Sequence, residues 1–255
     1  MIKVREILPD EISSYNQLQN KYGSLFADSA WAACFGSEVH LCGIFNNSKT
    51  IIGGFLFSKT KLKGYPYYTN IPFTPSIALF YCNPAANVAN RLSADKEILD
   101  AVARFFRHFR WAVQRYCLPP EIKDMQPFNW NDFKVIPHLT YQVDLHKNED
   151  VLYANLSAKL RNNIKKAKSD GVVLKQITDY RLCEPMILNT YARQKIGINS
   201  EHIRNILRKY ANPDNSYALA AFREDAMIAV SFFLHDKHTA YYMFGGYNND
   251  LKHEG

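Results

Sequence analysis

Three strand-like runs late in the chain leave the least freedom to the fold. Tyr217 to Arg223, Met227 to His235 and Thr239 to Gly245 follow one another across the turns Glu224-Asp225 and Asp236-Lys237. Turns that short join only antiparallel neighbours, so the three runs form a meander. A meander has an apolar face to bury, and Asp179 to Gln194 and Ser200 to Tyr210 read as helices ahead of it. Val172 to Ile177 reads as the strand that opens this stretch.

The same order stands earlier in the chain. Ile2 to Ile7 alternates apolar and charged residues as a half-buried strand does, and Pro9-Asp10 opens a helical stretch through Tyr22. The run SAWAACFG makes a second, short helix, with Trp31 inside it. Val39 to Phe45, Thr50 to Phe57 and Ser76 to Tyr81 then read as strands. A long helix follows from Ala94 to Tyr116, on which Ile98, Val102, Phe105, Phe109 and Val113 recur at helical spacing. His138 to Leu145 is a further strand, with Leu139, Tyr141, Val143 and Leu145 on one face. The fold class is therefore α+β, in two tandem units, each a mixed sheet with an antiparallel meander flanked by helices. Residues 1–150 form the first unit; residues 151–255 supply a linker helix and the opening part of the second. The first unit continues past its meander into a long helix, whereas the second stops at GGYNNDLKHEG, and so it reads as incomplete at its C-terminus. Leu234, Phe232 and Tyr242 are expected on apolar surface left uncovered there.

Composition narrows the function. The cysteines at 34, 42, 82, 117 and 183 are odd in number and form no CxxC pair, which points to reduced thiols in the cytoplasm rather than a disulfide framework or a zinc site. The N-terminus carries Lys3, Arg5 and Glu6 where a signal peptide needs an apolar stretch. The uncharged run from Gly64 to Asn90 is long enough to span a membrane, but Pro66, Pro72, Pro75 and Pro84 break any helix through it. No membrane span is expected. The sequence also lacks a GxSxG elbow, an HExxH pair, a Walker loop and a dinucleotide fingerprint, which argues against the hydrolases, zinc proteases, P-loop enzymes and oxidoreductases built on them. No metal is expected, and His138, His235, His238 and Asp144 stand at spacings that single out no catalytic base.

Charge and glycine place the candidate site residues. The net charge is +7, and between Val151 and Lys175 six cations, Lys159, Arg161, Lys165, Lys166, Lys168 and Lys175, face only Asp170. Such a patch serves nucleic acid, a phosphorylated ligand or a solvated helix face. On the helix Leu156 to Ser169, Arg161 and Lys165 stand one turn apart, so both can reach one diphosphate, the arginine by its fork and the lysine as a point charge. Gly245-Gly246 closes the third meander strand, where a backbone without side chains permits a bulge, a close ligand approach or a plain turn. Of Tyr241 and Tyr242, just before it, one faces the core and the other outward, and either hydroxyl could donate. Trp31 is a candidate cleft residue, and Trp111 is assigned to the core.

Strand, two helices, three antiparallel strands and a helix is the opening order of the GNAT acyltransferase fold, which each half resembles. Two such units in tandem resemble the Fem-type (FemAB-like) aminoacyl and acyl transferases. The resemblance lies in SAKLRNNIKKAKSDGVVLKQI, similar to that family's linker helix; in YPYYTNIPFTPSIALFY and FNWNDFKVIPHLTYQVDL of the first unit; and in YALAAFREDAMIAVSFFLHDKHTAYYMFGGYNND of the second. It implies an N-acyltransferase with no bound cofactor, taking acyl-CoA or aminoacyl-tRNA as donor. The acceptor would be an amine on a small, phosphorylated or cell-envelope precursor. The string nearest a coenzyme A loop, QKIGIN, ends in Asn199 and reads as a helix stop with Gly197 at the C-cap, which favours the tRNA donor. The alternative from another class is a non-catalytic basic module that binds RNA or another polyanion.

Overall fold

The computed structural model describes residues 1–248. The chain divides into two compact units, Met1–Ile136 and Pro137–Gly255, where the sequence suggested a boundary at 150.

The first unit runs β1 (Lys3–Glu6), α1 (Ile12–Tyr22), α2 (Ser29–Ala33), β2 (Val39–Phe45), β3 (Ile51–Leu62), β4 (Tyr65–Thr69), β5 (Phe80–Tyr81), α3 (Val88–Arg107), β6 (Val113–Arg115) and α4 (Gln126–Trp130). Its sheet has the order β1-β2-β3-β4-β6, with β5 beside β3. The pairs are antiparallel except β4 with β6, where Tyr67 lies against Val113 and Thr69 against Arg115 in parallel. That pairing requires a crossover, and α3 supplies it.

Three expectations for this unit change. The run from Ser76 yields only the two-residue β5, because Ala78 takes φ 50° and its N–H turns to the Ser76 hydroxyl at 3.0 Å. The long helix begins earlier, since the Asn87 side chain caps it by accepting from the Asn90 N–H at 2.8 Å. It ends at Arg107, and Val113 joins β6 instead. Phe109 nonetheless keeps its core place from the turn beyond α3, stacked on Tyr68 at 4.5 Å. Trp111, assigned to the core from sequence, is 64% exposed and meets Tyr68 edge-on.

The second unit runs α5 (Glu149–Ala154), α6 (Ala158–Ser169), β7 (Val172–Ile177), α7 (Glu184–Arg193), α8 (Ser200–Asn205), β8 (Ser216–Arg223), β9 (Ala226–His235) and β10 (Ala240–Tyr247). A π-helical turn, Ile206–Tyr210, continues α8. The sheet order is β10-β9-β8-β7, antiparallel at each described pairing, so the mixed character belongs to the first sheet. Both units thus show strand, two helices and an antiparallel three-stranded meander, the α+β order of the GNAT resemblance. At the end of α7 the left-handed position falls on Lys195, φ 55°, and not on the expected Gly197.

One face of the second sheet is core. Ala218, Ala220, Val230, Phe232, Leu234 and Phe244 are buried there, and Tyr180 meets Phe232 edge-on at 5.5 Å. Phe232 and Leu234, expected on uncovered surface, are both 0% exposed, whereas Tyr242 is 63% exposed. The helix expected after Asn249 lies outside the described residues.

The expected strand His138 to Leu145 does not form. Its alternation gives it an apolar face, yet no sheet edge pairs with it, and Leu139 and Tyr141 stand 95% and 97% exposed. A strand exists only through its neighbours' hydrogen bonds, which periodicity cannot supply. Among the described residues no helix is long and apolar enough to cross a membrane. The five cysteines are free, with Cys34, Cys42 and Cys183 buried.

Candidate functional site

The register of β10 against β9 breaks at Met243. Tyr242 lies opposite Phe233 and Phe244 opposite Phe232, so Met243 is the extra residue of a β-bulge. The bulge shifts the alternation by one. Phe244 goes to the core, while Tyr242 and Gly245 come to the same outer face of the sheet. Tyr242 then lies back over Gly245, so closely that a methyl group on that glycine would fall 1.8 Å from the tyrosine hydroxyl oxygen. Gly245 is therefore the seat of the Tyr242 hydroxyl. Gly246 faces the other way, where a methyl group would lie 2.4 Å from the backbone carbonyl of Met186 in α7. The two glycines that read as one motif do separate work: one admits a side chain, the other a helix.

A row of rings crosses the meander beside this point. Tyr217 of β8 stacks on Phe233 of β9 at 4.6 Å with planes 7° apart, and Phe233 meets Tyr242 of β10 at 5.5 Å. His235 closes the other end, 6.2 Å from the Tyr217 ring. Burial raises the pKa of the Tyr217 hydroxyl, which holds it protonated as a donor. Burial, with Tyr242 as a second cause, does the same for Tyr191 on α7. A hydroxyl on this sheet face can stabilise a developing oxyanion by donating to it.

The remaining sequence candidates lie elsewhere. Trp31 is 0% exposed, its indole N–H donating to the Thr74 hydroxyl at 2.9 Å and its ring edge-on to Phe26 and Phe35. It is a core residue of the first unit and not a cleft residue. Asp28 caps α2 by accepting from the Ala30 N–H, and this short helix turns the indole inward. Arg161 donates from Nη1 to the carbonyls of Ala154, at 2.9 Å, and Leu156. It thereby satisfies carbonyl oxygens at the C-terminus of α5, as cationic side chains commonly do there. Lys165 is exposed one turn further along α6. Sequence reasoning passed over Tyr217 and Phe233, although the alternation of β8 and β9 already puts Tyr217 and Leu219, and Phe233 and His235, each on one face of its strand.

No protein-family profile matches the sequence, and no curated protein does. Among solved structures, the chain is similar to a conserved protein of unknown function from Enterococcus faecalis described as a probable N-acyltransferase. The identity is 8% and the TM-score 0.36, over 98% of this chain and 59% of that one. It is also similar to a fungal multi-domain GH3 beta-N-acetylglucosaminidase that contains a GCN5-related glucosamine N-acetyltransferase region, at 12% identity and a TM-score of 0.37, over 94% of this chain and 28% of that one. The chain thus spans less than two thirds of either.

Proposed function

We propose that the chain serves N-acyl transfer of the GNAT type, in a Fem-like tandem arrangement. An activated donor, aminoacyl-tRNA or acyl-CoA, passes its acyl group to an amine on a small, phosphorylated or cell-envelope precursor in the cytoplasm. The observation that carries this reading is the Tyr242 hydroxyl seated over Gly245 at a bulge in the third meander strand. Attack of the amine forms the new C–N bond and turns the donor carbonyl into an oxyanion, which the Tyr242 O–H stabilises by hydrogen bonding. Collapse breaks the donor's ester or thioester bond, and the leaving oxygen or sulfur departs with a proton. The amine loses the proton that the leaving group takes up, so the transfer balances. Arg161 and Lys165 would hold phosphate of the acceptor, the arginine through nitrogens other than Nη1.

The reading is tested by incubating the protein with radiolabelled aminoacyl-tRNA or acyl-CoA and a panel of amines. One donor should lose label to an amine, and Tyr242→Phe should lower kcat by about 100-fold with KM little changed. Failure of both donors, or an unaltered Tyr242→Phe, rejects it. RNA retention that weakens steeply with salt, without transfer, would instead establish the polyanion-binding alternative.

A further inference from the structure

The first sheet carries a projecting ribbon that acyl transfer does not use. The pairing of β2 with β3 ends at Val39 opposite Ser58, and β3 runs on through residues 59–62 with β4 beside it. Those four residues carry the ribbon about 13 Å past the end of β2. Lys63 and Gly64 turn it with φ of 50° and 86°, the two positive values of a type I′ turn, and Leu62 is set directly opposite Tyr65. β6 joins β4 in parallel with Val113 opposite Tyr67, so the residues just before β6 lie toward the tip of the ribbon.

Two kinds of side chain gather at this end. Leu62, Tyr65, Trp111 and Val113 are 44%, 70%, 64% and 44% exposed. With them stand Lys59, Lys61, Lys63, Arg107, Arg110 and Arg115, and neither 59–69 nor 107–115 contains an aspartate or a glutamate. Among the described residues only Arg107 of these six pairs with a carboxylate, that of Asp132 at 2.6 Å. Register divides the side chains between the two faces of the ribbon. Leu62, Tyr65, Tyr67 and Val113 share one face. Lys59 and Lys61 share the other with Tyr68, over whose ring the Lys59 Nζ stands at 5.9 Å and to which Trp111 lies edge-on at 6.3 Å.

That division decides the partner. A nucleic-acid strand needs rings and cations on one surface, the rings to stack on its bases and the cations to track its phosphates. A bilayer interface surrounds whatever enters it end-on, and so it engages both faces at once. Tyrosine, tryptophan and a leucine at the tip suit the boundary between headgroups and acyl chains, and the lysines reach back to the lipid phosphates. Apolar side chains enter that boundary by about 5 to 10 Å, less than the projection of the ribbon, so the tip is admitted while the body of the sheet stays outside.

We infer that the ribbon of β3 and β4 is a membrane-contact element that seats the first unit on an anionic lipid surface. The inference is independent of acyl transfer, and its test measures binding alone. The whole chain is sedimented with vesicles of phosphatidylcholine containing about 30% phosphatidylglycerol, and with vesicles of phosphatidylcholine alone. It should sediment with the anionic vesicles and not with the neutral ones, and added salt should weaken the binding. Two double variants, Leu62→Ser with Tyr65→Ser and Lys61→Gln with Lys63→Gln, should each weaken it at least about tenfold. Lys166→Gln with Lys168→Gln, an equal loss of charge on α6, should leave it unchanged. All of these side chains are exposed, and circular dichroism checks that each variant remains folded. Two results overturn the inference: no sedimentation with the anionic vesicles, or equal losses from the ribbon and α6 variants, which would mean diffuse attraction to net charge. The first, joined to retention of a uridine oligonucleotide that the ribbon variants weaken, would put nucleic acid on the ribbon in place of lipid.

Discussion

At the scale of single residues, Gly245 and Gly246 respond to the same substitution in opposite ways. A methyl group at 246 meets the backbone of α7, which cannot swing aside, so Gly246→Ala should destabilise the protein by about 1 to 3 kcal/mol through a forced backbone shift. At 245 the obstacle is the end of the Tyr242 side chain, which rotates away. Gly245→Ala should therefore leave thermal stability nearly unchanged while displacing the hydroxyl and lowering transfer as Tyr242→Phe does. Melting curves and label transfer on both variants check this; a Gly246→Ala protein as stable as the wild type would show that α7 does not sit so close. The Gly-Gly pair was legible in the sequence as a place where the backbone is approached. The division of labour was not, because the bulge at Met243 that fixes which way each residue faces leaves no compositional trace. Trp31 was misjudged for a similar reason. Its burial depends on Phe26, Phe35 and the hydrogen bond to Thr74, forty-three residues away in the chain.

At the scale of elements, Glu184 ties α7 to α8 in the second unit. It opens α7, accepts from Arg204 of α8 at 2.8 Å and from Arg208 of the π-helical turn at 2.7 Å, and is itself buried. Burial pushes its carboxyl pKa up, but the two arginine hydrogen bonds outweigh that and hold it below the ordinary 4.5. A carboxyl depressed by folding contributes stability that is present above its unfolded pKa and lost as pH falls through the folded one. Glu184→Gln should therefore cost about 2 kcal/mol near neutral pH. The gap between variant and wild type should narrow progressively below 4.5, because wild-type Glu184 then becomes protonated too. Glu11 and Asp179 are likewise depressed and titrate in both proteins, so only the difference between the two melting temperatures reports on Glu184. A constant difference down to acid pH would contradict this role. Element order was the most legible property of the chain. β7, β8 and β9 fall within one residue of their sequence readings, since short turns and alternation fix them locally. The failures, at β5 and at His138 to Leu145, are stretches whose pairing depends on distant partners.

At the scale of the whole molecule, the stretch from His138 to Lys147 is the exposed connection next to the unit junction. Chymotrypsin at limiting concentration should cut first at Tyr141, which is 97% exposed and outside regular structure. Mass spectrometry should find two large fragments from that cut; first cleavage inside either sheet would show that this stretch is protected in solution. The two sheets also differ in how their strands are joined. In the second, β8, β9 and β10 are successive hairpins across turns of a few residues. In the first, Lys3 must find Phe45, and β4 must wait for α3 to bring β6 alongside it. Closing long loops delays contact formation, and parallel pairing adds to the delay. During synthesis the ribosome delivers the slow unit first. Synthesis at about 5 to 20 residues per second leaves several seconds between the emergence of β6 and that of β8, so the slower unit has time to close its strand edges before the meander adds its own, and the order of synthesis keeps the two from meeting unpaired.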